Sequence, residues 1–264
     1  MPIIEAEPIQ YEVDGHVAHI WLNRPHKRNA VSQQLLSELD AARRRAEEDE
    51  NVRIMVIRGR EGTFCSGFDL DELLGEFIGT TRAYEVALKS QRICDDIFRS
   101  PTPSVAVIEG WATAGGFEIL INCDFAVAEE NAKIGDFHMR RGLFGGAGPM
   151  YRLPRIVGER KAKELMMSGR ILSGREAYEF GLVNAWAPAD DLDATVERFI
   201  ANFTDKSPFQ MQITKQCVNR ALDADTETLM LVERLAVGVT LNSDDAAEGV
   251  SAFLDKREPT WKGT

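Results

Sequence analysis

Two apolar runs, Ile54-Met55-Val56-Ile57 and Val105-Ala106-Val107-Ile108, each end at a glycine (Gly59, Gly110). Each then enters a loop of small residues that opens a helix. This feature constrains the fold most. A strand that is apolar at every position is buried on both faces, as central strands of a parallel sheet are when helices cover it. Phe125-Ala126-Val127-Ala128 reads as a third such strand. Upstream, residues 9–22 read as two strands around the turn Asp14-Gly15, with Val17, His19 and Trp21 alternating with Ala18, Ile20 and Leu22. Between about Ser32 and Glu48, residues Leu35, Leu36, Leu39, Ala42 and Ala46 fall on one helical face. Helices are also predicted over 70–78, 82–99 and from Phe117 to Asn122. The repeated order strand, loop, helix, strand gives an α/β fold with helices packed outside sheets.

From about residue 150 the pattern turns mostly helical. Ser173-Gly-Arg-Glu176 fits a capping box. Leu192, Val196, Phe199, Ile200 and Phe203 show 3.6-residue spacing, and two further amphipathic helices are predicted over about 209–222 and 226–241. The second carries Leu229, Val232, Leu235, Ala236 and Val239. The expected organisation is a core over residues 1–200 and a helical layer over 201–264, whose apolar faces cover the core or a neighbouring subunit.

The chain has 264 residues, 44% hydrophobic and 28% charged, so it is globular and not disordered. With 31 Lys+Arg against 42 Asp+Glu its net charge is -11. That argues against a sequence-independent nucleic-acid binder, whose affinity comes from neutralised phosphates. Cys65, Cys94, Cys123 and Cys217 form no CxxC pair, and the four histidines form no HxxxH, so a zinc site is not expected. Scattered cysteines suit a reducing cytoplasm. The N-terminal MPIIEAEPIQ lacks a basic n-region, and no apolar run reaches membrane-spanning length.

The chemistry concentrates in two loops of one plan, Thr63-Phe-Cys-Ser-Gly-Phe-Asp-Leu70 and Trp111-Ala-Thr-Ala-Gly-Gly-Phe-Glu118. Each follows a buried strand and opens a helix, whose first N–H groups have no intrahelical acceptor. Two such sites converging form an oxyanion hole for charge developing on a carbonyl oxygen. The alternative is that Gly67, Gly115 and Gly116 only permit tight turns and close packing. Neither loop is GxxxxGK[ST] or GxGxxG, so a nucleotide-phosphate cradle is disfavoured.

These motifs resemble the crotonase superfamily, the enoyl-CoA hydratase/isomerase family. Five segments match in register along nearly the whole chain. They are Trp21-Leu-Asn-Arg-Pro25 with Asn29-Ala30, Phe64 to Leu70, Ala114 to Glu118 with Asn122-Cys-Asp124, Gly135 to Gly148, and Ile171 to Val183. The resemblance implies a spiral of ββα units, a C-terminal helical trimerisation region, and an acyl-CoA thioester as substrate. No separate cofactor and no metal are implied. The assembly expected is a homotrimer or a dimer of trimers, without nucleic-acid or membrane partners. The oxyanion donors fall on the backbone N–H groups of Phe68 and Gly115. Lys27, Arg28, Phe64, Ser66, Gly67, Asp69, Leu70 and Gly116 fall on substrate- or CoA-binding positions. Arg24 and His26 join that basic cluster, and Lys256, Arg257 and Lys262 are further candidates for the CoA phosphates.

Hydratases of the family use two glutamates. Glu118 matches the first, placed to orient or deprotonate water. The second position holds His138, which exchanges protons near neutral pH. Histidine here is also similar to the β-diketone hydrolase branch, which pairs it with a downstream aspartate. The corresponding stretch, Gly145-Gly-Ala-Gly148, has no acid, and Asp136 points with His138 only if the segment is a strand. Asp71 stands where many relatives carry a lysine toward CoA. Three readings follow: an enoyl-CoA hydratase-like lyase, a C–C bond hydrolase opening a cyclic β-diketone or β-keto thioester, or a non-catalytic acyl-CoA-binding trimer. Leu73, Leu74, Phe77 and Ile78 suggest an apolar acyl pocket.

Overall fold

A computed structural model describes residues 7–76 and 80–264. The elements, in chain order, are β1 (Ile9–Asp14), β2 (Val17–Leu22), α1 (Gln33–Glu48), β3 (Ile54–Gly59), α2 (Leu70–Glu76), α3 (Thr80–Arg99), β4 (Ser104–Ile108), β5 (Trp111–Thr113), α4 (Gly115–Asn122), β6 (Phe125–Glu129) and β7 (Lys133–Gly135). After a 3-10 turn at His138–Arg141 come α5 (Leu153–Val157), α6 (Glu159–Ser168), α7 (Gly174–Phe180), β8 (Ala185–Ala187), α8 (Leu192–Thr204), α9 (Pro208–Arg220), α10 (Thr226–Leu241) and α11 (Asp244–Asp255). Phe77 and Ile78, named above for the acyl pocket, lie outside the described residues.

Six strands form one sheet in the order β1-β2-β3-β4-β6-β8. β1 and β2 pair antiparallel as a hairpin, and every later pairing in that sheet is parallel. Short segments after the central strands build a second layer. Val31 bridges Phe68, Cys65 bridges Ala112, β5 pairs β7, and Ile134 bridges Leu172. Each unit thus gives one long strand to the sheet and one short segment to the second layer before its helix. That is the spiral of ββα units the sequence resemblance implied.

The apolar runs are continuous because both sheet faces are covered. Met55, Ile57, Ala106 and Ile108 face the main core with Leu35, Leu36, Leu39 and Phe117. Ile54, Val56, Val105, Val107 and Val127 face the opposite way, against Leu192, Val196 and Ile200 of α8. Helix α1 starts where Ser32 Oγ accepts the Leu35 N–H at 3.0 Å, and α7 has the capping box read from Ser173 and Glu176.

The C-terminal helices include one the sequence reading missed, α11. Its N-cap, Ser243, lies only two residues beyond α10. Lys215 of α9 docks this layer on the sheet. Its ammonium is buried and meets Asp124 Oδ2 at 2.7 Å, and Asp124 also takes the Ser104 N–H at 2.8 Å. Helix α10 buries no residue in the isolated chain, and Leu235, Val239, Leu241, Val250, Phe253 and Leu254 are exposed. Among the described residues no helix is long and apolar enough to cross a membrane.

Candidate active site

The two glycine loops meet. Gly67 has φ +113°, and a Cβ there would lie 3.0 Å from Ala114 Cβ, so the backbone conformation and the close approach both need glycine. Gly116 packs against the same loop, where a Cβ would come within 2.3 Å of the Cys65 carbonyl oxygen. Its role here is close packing, and it does not line the pocket.

The direction of the two candidate oxyanion donors follows from the pairing. The Val31 N–H donates to the Gly67 carbonyl at 2.7 Å, and the Asp69 N–H donates to the Val31 carbonyl at 2.8 Å. A parallel bridge of this kind uses the neighbours of Phe68, which turns the Phe68 N–H to the opposite side. Gly115 is the first residue of α4, so its N–H has no intrahelical acceptor. It lies against the Phe68 ring, which a Cβ on Gly115 would touch at 2.9 Å. Ala114 holds φ +49° to turn the chain into the helix, and its own N–H donates to the Asp136 carbonyl at 3.1 Å. For a non-glycine residue such a conformation costs on the order of 1–3 kcal/mol and persists only where surrounding contacts impose it.

Glu118 lies one turn into α4 and is 2% exposed. The Ala147 N–H donates to Glu118 Oε1 at 2.9 Å. Burial pushes the carboxyl pKa up, while the His138 charge and the N–H groups of Ala147 and Gly146 act the other way without cancelling it.

His138 begins the 3-10 turn and is buried. Its Nδ1 lies 2.9 Å from Asp136 Oδ1. A carboxylate only accepts, so Nδ1–H donates and Nε2 is left as the reactive nitrogen. The sequence condition for this contact was a strand, and that condition is not what the structure uses. Phe137 adopts a left-handed φ of +60°, and this tight turn brings Asp136 beneath the imidazole. Burial lowers the His138 pKa, but the Asp136 hydrogen bond and the Glu118 and Asp136 charges outweigh it and raise it.

Lys27, Ser66, Gly67, Phe68, Asp69, Leu70, Glu118 and His138 all line one cavity of about 440 Å³. Leu73 joins its wall, and so do Val86 and Ala87 of α3 and Leu143 and Phe144 beyond His138. Several predicted positions do not line it, Gly115 and the exposed Leu74 among them. Phe64 is fully buried in the core, Arg28 is exposed outside the cavity, and Gly116 packs behind it. A larger cavity of about 1030 Å³ lies between the core and helices α9 and α11, and holds none of Glu118, His138 or the loop amides.

The basic cluster is largely self-paired. Arg24 Nη2 donates to Asp69 Oδ2 at 2.9 Å. Lys27 is 3.6 Å from Asp69 Oδ1 and hydrogen-bonded to Asp71. Arg257 pairs with Glu248, and Lys262 with Asp244, both on α11. Asn29, part of the N-terminal motif, is wholly buried. Its Nδ2 donates to the Arg60 and Thr63 carbonyls at 2.9 and 2.6 Å, stapling the first segment to the first glycine loop. The reading missed the Ala147 amide, which no side-chain pattern announces, and Arg141, whose signal was its position three residues after His138.

Comparison with known proteins agrees with this architecture. The family model for enoyl-CoA hydratase/isomerase matches residues 12–264. The human enoyl-CoA hydratase domain-containing protein 2, mitochondrial, is 34% identical over 255 residues, covering 95% of this chain and 87% of that protein. Mouse methylglutaconyl-CoA hydratase, mitochondrial, is 32% identical, covering 96% of this chain and 81% of that protein. The crystal structure of an enoyl-CoA hydratase from Bacillus anthracis superposes with a TM-score of 0.92 at 30% identity, over 97% of this chain and 100% of the other. The chain belongs to the enoyl-CoA hydratase/isomerase family and is an enzyme of that family.

Proposed function

We propose that this protein is an enoyl-CoA hydratase-like lyase that adds water to an α,β-unsaturated acyl-CoA thioester. The observation that carries the reading is the lining of one cavity by a buried carboxylate, Glu118, and a carboxylate-held imidazole, His138, together with Phe68 and Ala114 of the two glycine loops. The Phe68 and Gly115 N–H groups hold the thioester oxygen. Ionised Glu118 takes a proton from water as the water oxygen bonds to the β-carbon. The double-bond electrons move onto the thioester oxygen as an enolate, which the two donors stabilise. Protonated His138 then delivers its proton to the α-carbon. Proton transfer from Glu118 back to His138 restores both groups. CoA enters as part of the substrate, and the mechanism calls on no further cofactor. Its phosphates meet Lys27 in competition with Asp69 and Asp71.

The Asp136–His138 hydrogen bond supports a second reading, C–C hydrolysis, because a neutral imidazole oriented by a carboxylate also activates water. One variant separates them. In a hydratase, His138→Glu keeps a proton donor, so loss of the conjugated thioester absorbance of crotonyl-CoA persists or rises. In a hydrolase the same change abolishes opening of a cyclic β-diketone and yields little hydration. An acyl-CoA-binding protein without chemistry shows neither activity before or after the change. The exposed apolar residues of α10 and α11 support a homotrimer or a dimer of trimers. Light scattering is expected to give about three or six times 29.4 kDa, and a monomer at micromolar concentration refutes the assembly.

A further inference from the structure

The turn that carries His138 also carries Arg141. In a 3-10 helix residues i and i+3 eclipse one another, so Arg141 stands on the His138 face, and both line the cavity. Arg140 is turned elsewhere. Its Nε donates to the Gly169 carbonyl at 2.8 Å, and its Cγ fills the space beside Gly169 where a Cβ would sit, at 2.7 Å. Lys27, also in the cavity wall, is bound to Asp69 and Asp71. Arg141 differs from both. Its one described interaction is with the Phe137 ring, 5.2 Å from guanidinium to centroid. Among the described residues no carboxylate lies at ion-pair distance from it. It therefore presents an exposed guanidinium without an ion pair to a cavity whose lining also includes the apolar Leu143, Phe144 and Val86.

A guanidinium binds carboxylates through two parallel hydrogen bonds, and far better where water is partly excluded. Three residues of 3-10 helix span about 6 Å, which puts Arg141 within reach of an acyl group whose α-carbon meets His138. We propose that Arg141 is a specificity residue for an acyl group that bears its own terminal carboxylate, a short dicarboxylic enoyl-CoA. The identity of the reaction at the thioester end rests on the hydratase reading, but the binding argument does not. A CoA phosphate offers the guanidinium similar chemistry, and it is common to every acyl-CoA.

Binding of glutaryl-CoA and butyryl-CoA, which lack the double bond, is measured by calorimetry on the wild-type protein, Arg141→Leu and Arg141→Lys. Wild type is expected to prefer glutaryl-CoA by about tenfold to a hundredfold, the range for a hydrogen-bonded charge pair. Arg141→Leu removes the preference, and Arg141→Lys keeps part of it. Three results overturn the proposal: no preference in wild type, a preference unchanged in Arg141→Leu, or equal losses for both ligands, which would assign Arg141 to the CoA phosphates. Hydration of glutaconyl-CoA is followed in parallel. A binding preference without hydration leaves the carboxylate subsite standing and removes the reaction, whereas hydration without preference does the reverse.

Discussion

Replacing Asp136 by Asn tests the proton inventory of the site most directly. The side chains of His138 and Asp136 are 8% and 3% exposed, and their hydrogen bond is 2.9 Å long. Burial alone would depress the imidazole pKa, and the Asp136 hydrogen bond is the largest influence holding it up. A hydrogen bond to a charged acceptor is worth about 1.5–3 kcal/mol. Its loss therefore lowers the His138 pKa and favours the neutral imidazole. Asn keeps the volume and one acceptor, so the lower end of that range is expected. The sign follows from the proposed role: as a proton donor His138 works protonated, so turnover holds below its pKa and is lost as pH rises through it. The basic limb of the kcat profile should move to lower pH, with turnover at a fixed pH on that limb falling about tenfold and recovering as the pH drops. The assay is loss of enoyl-thioester absorbance from crotonyl-CoA between about pH 5 and about pH 9, with circular dichroism confirming the fold. A basic limb that stays in place refutes the assignment of His138 as the acid. If the acid limb is the one that tracks the change, His138 works as a neutral base and the hydrolase reading is favoured.

Two further outcomes are expected. Gly115→Pro removes one proposed oxyanion donor and should lower kcat by at least about 10² to 10³ while the protein stays folded; full activity in a folded variant rules out this hole. Glu118→Gln should abolish hydration yet stabilise the protein above the ordinary carboxylate range. The raised pKa of Glu118 means its favourable contribution is complete at low pH and lost as pH rises through its folded value. The gain in Tm over wild type should therefore grow from pH 4 to pH 8, roughly, at about 2–4 °C per kcal/mol for a chain of this size; a variant less stable at pH 8 contradicts the buried-carboxylate account.

The core strands and the two loops were legible because burial on both sheet faces leaves an apolar mark on every residue from Ile54 to Ile57 and from Val105 to Ile108. The short strands β5, β7 and β8 have three residues each, too few for a period of two to show. The Asp136–His138 contact was hidden for another reason. It depends on the left-handed turn at Phe137, and a phenylalanine gives no local signal for that conformation, as glycine or asparagine would. Phe64 and Gly116 were assigned to the ligand by motif, yet they support the site from behind. Phe64 fills the core beneath the first loop, and Gly116 lets α4 approach that loop. A motif position marks what the site requires, and what it requires is sometimes room.

The segment from α4 to the loop 145–148 explains how one buried glutamate keeps its aim. Ala147 is held at both ends of its backbone. Its N–H donates to the Glu118 carboxylate, and its carbonyl accepts from Asn122 Nδ2 at 2.8 Å. Asn122 also donates to the Glu118 carbonyl at 2.8 Å, and its own oxygen accepts from Arg152 Nε at 3.0 Å. Arg152 in turn reaches Asp95 of α3 at 2.7 Å. These hydrogen bonds tie helix α4, the loop and α3 together around the Glu118 carboxylate. Gly115 and Glu118 are three residues apart on that helix and share a face. One short helix, α4, thus carries both the proposed oxyanion donor, Gly115, and the proposed base, Glu118.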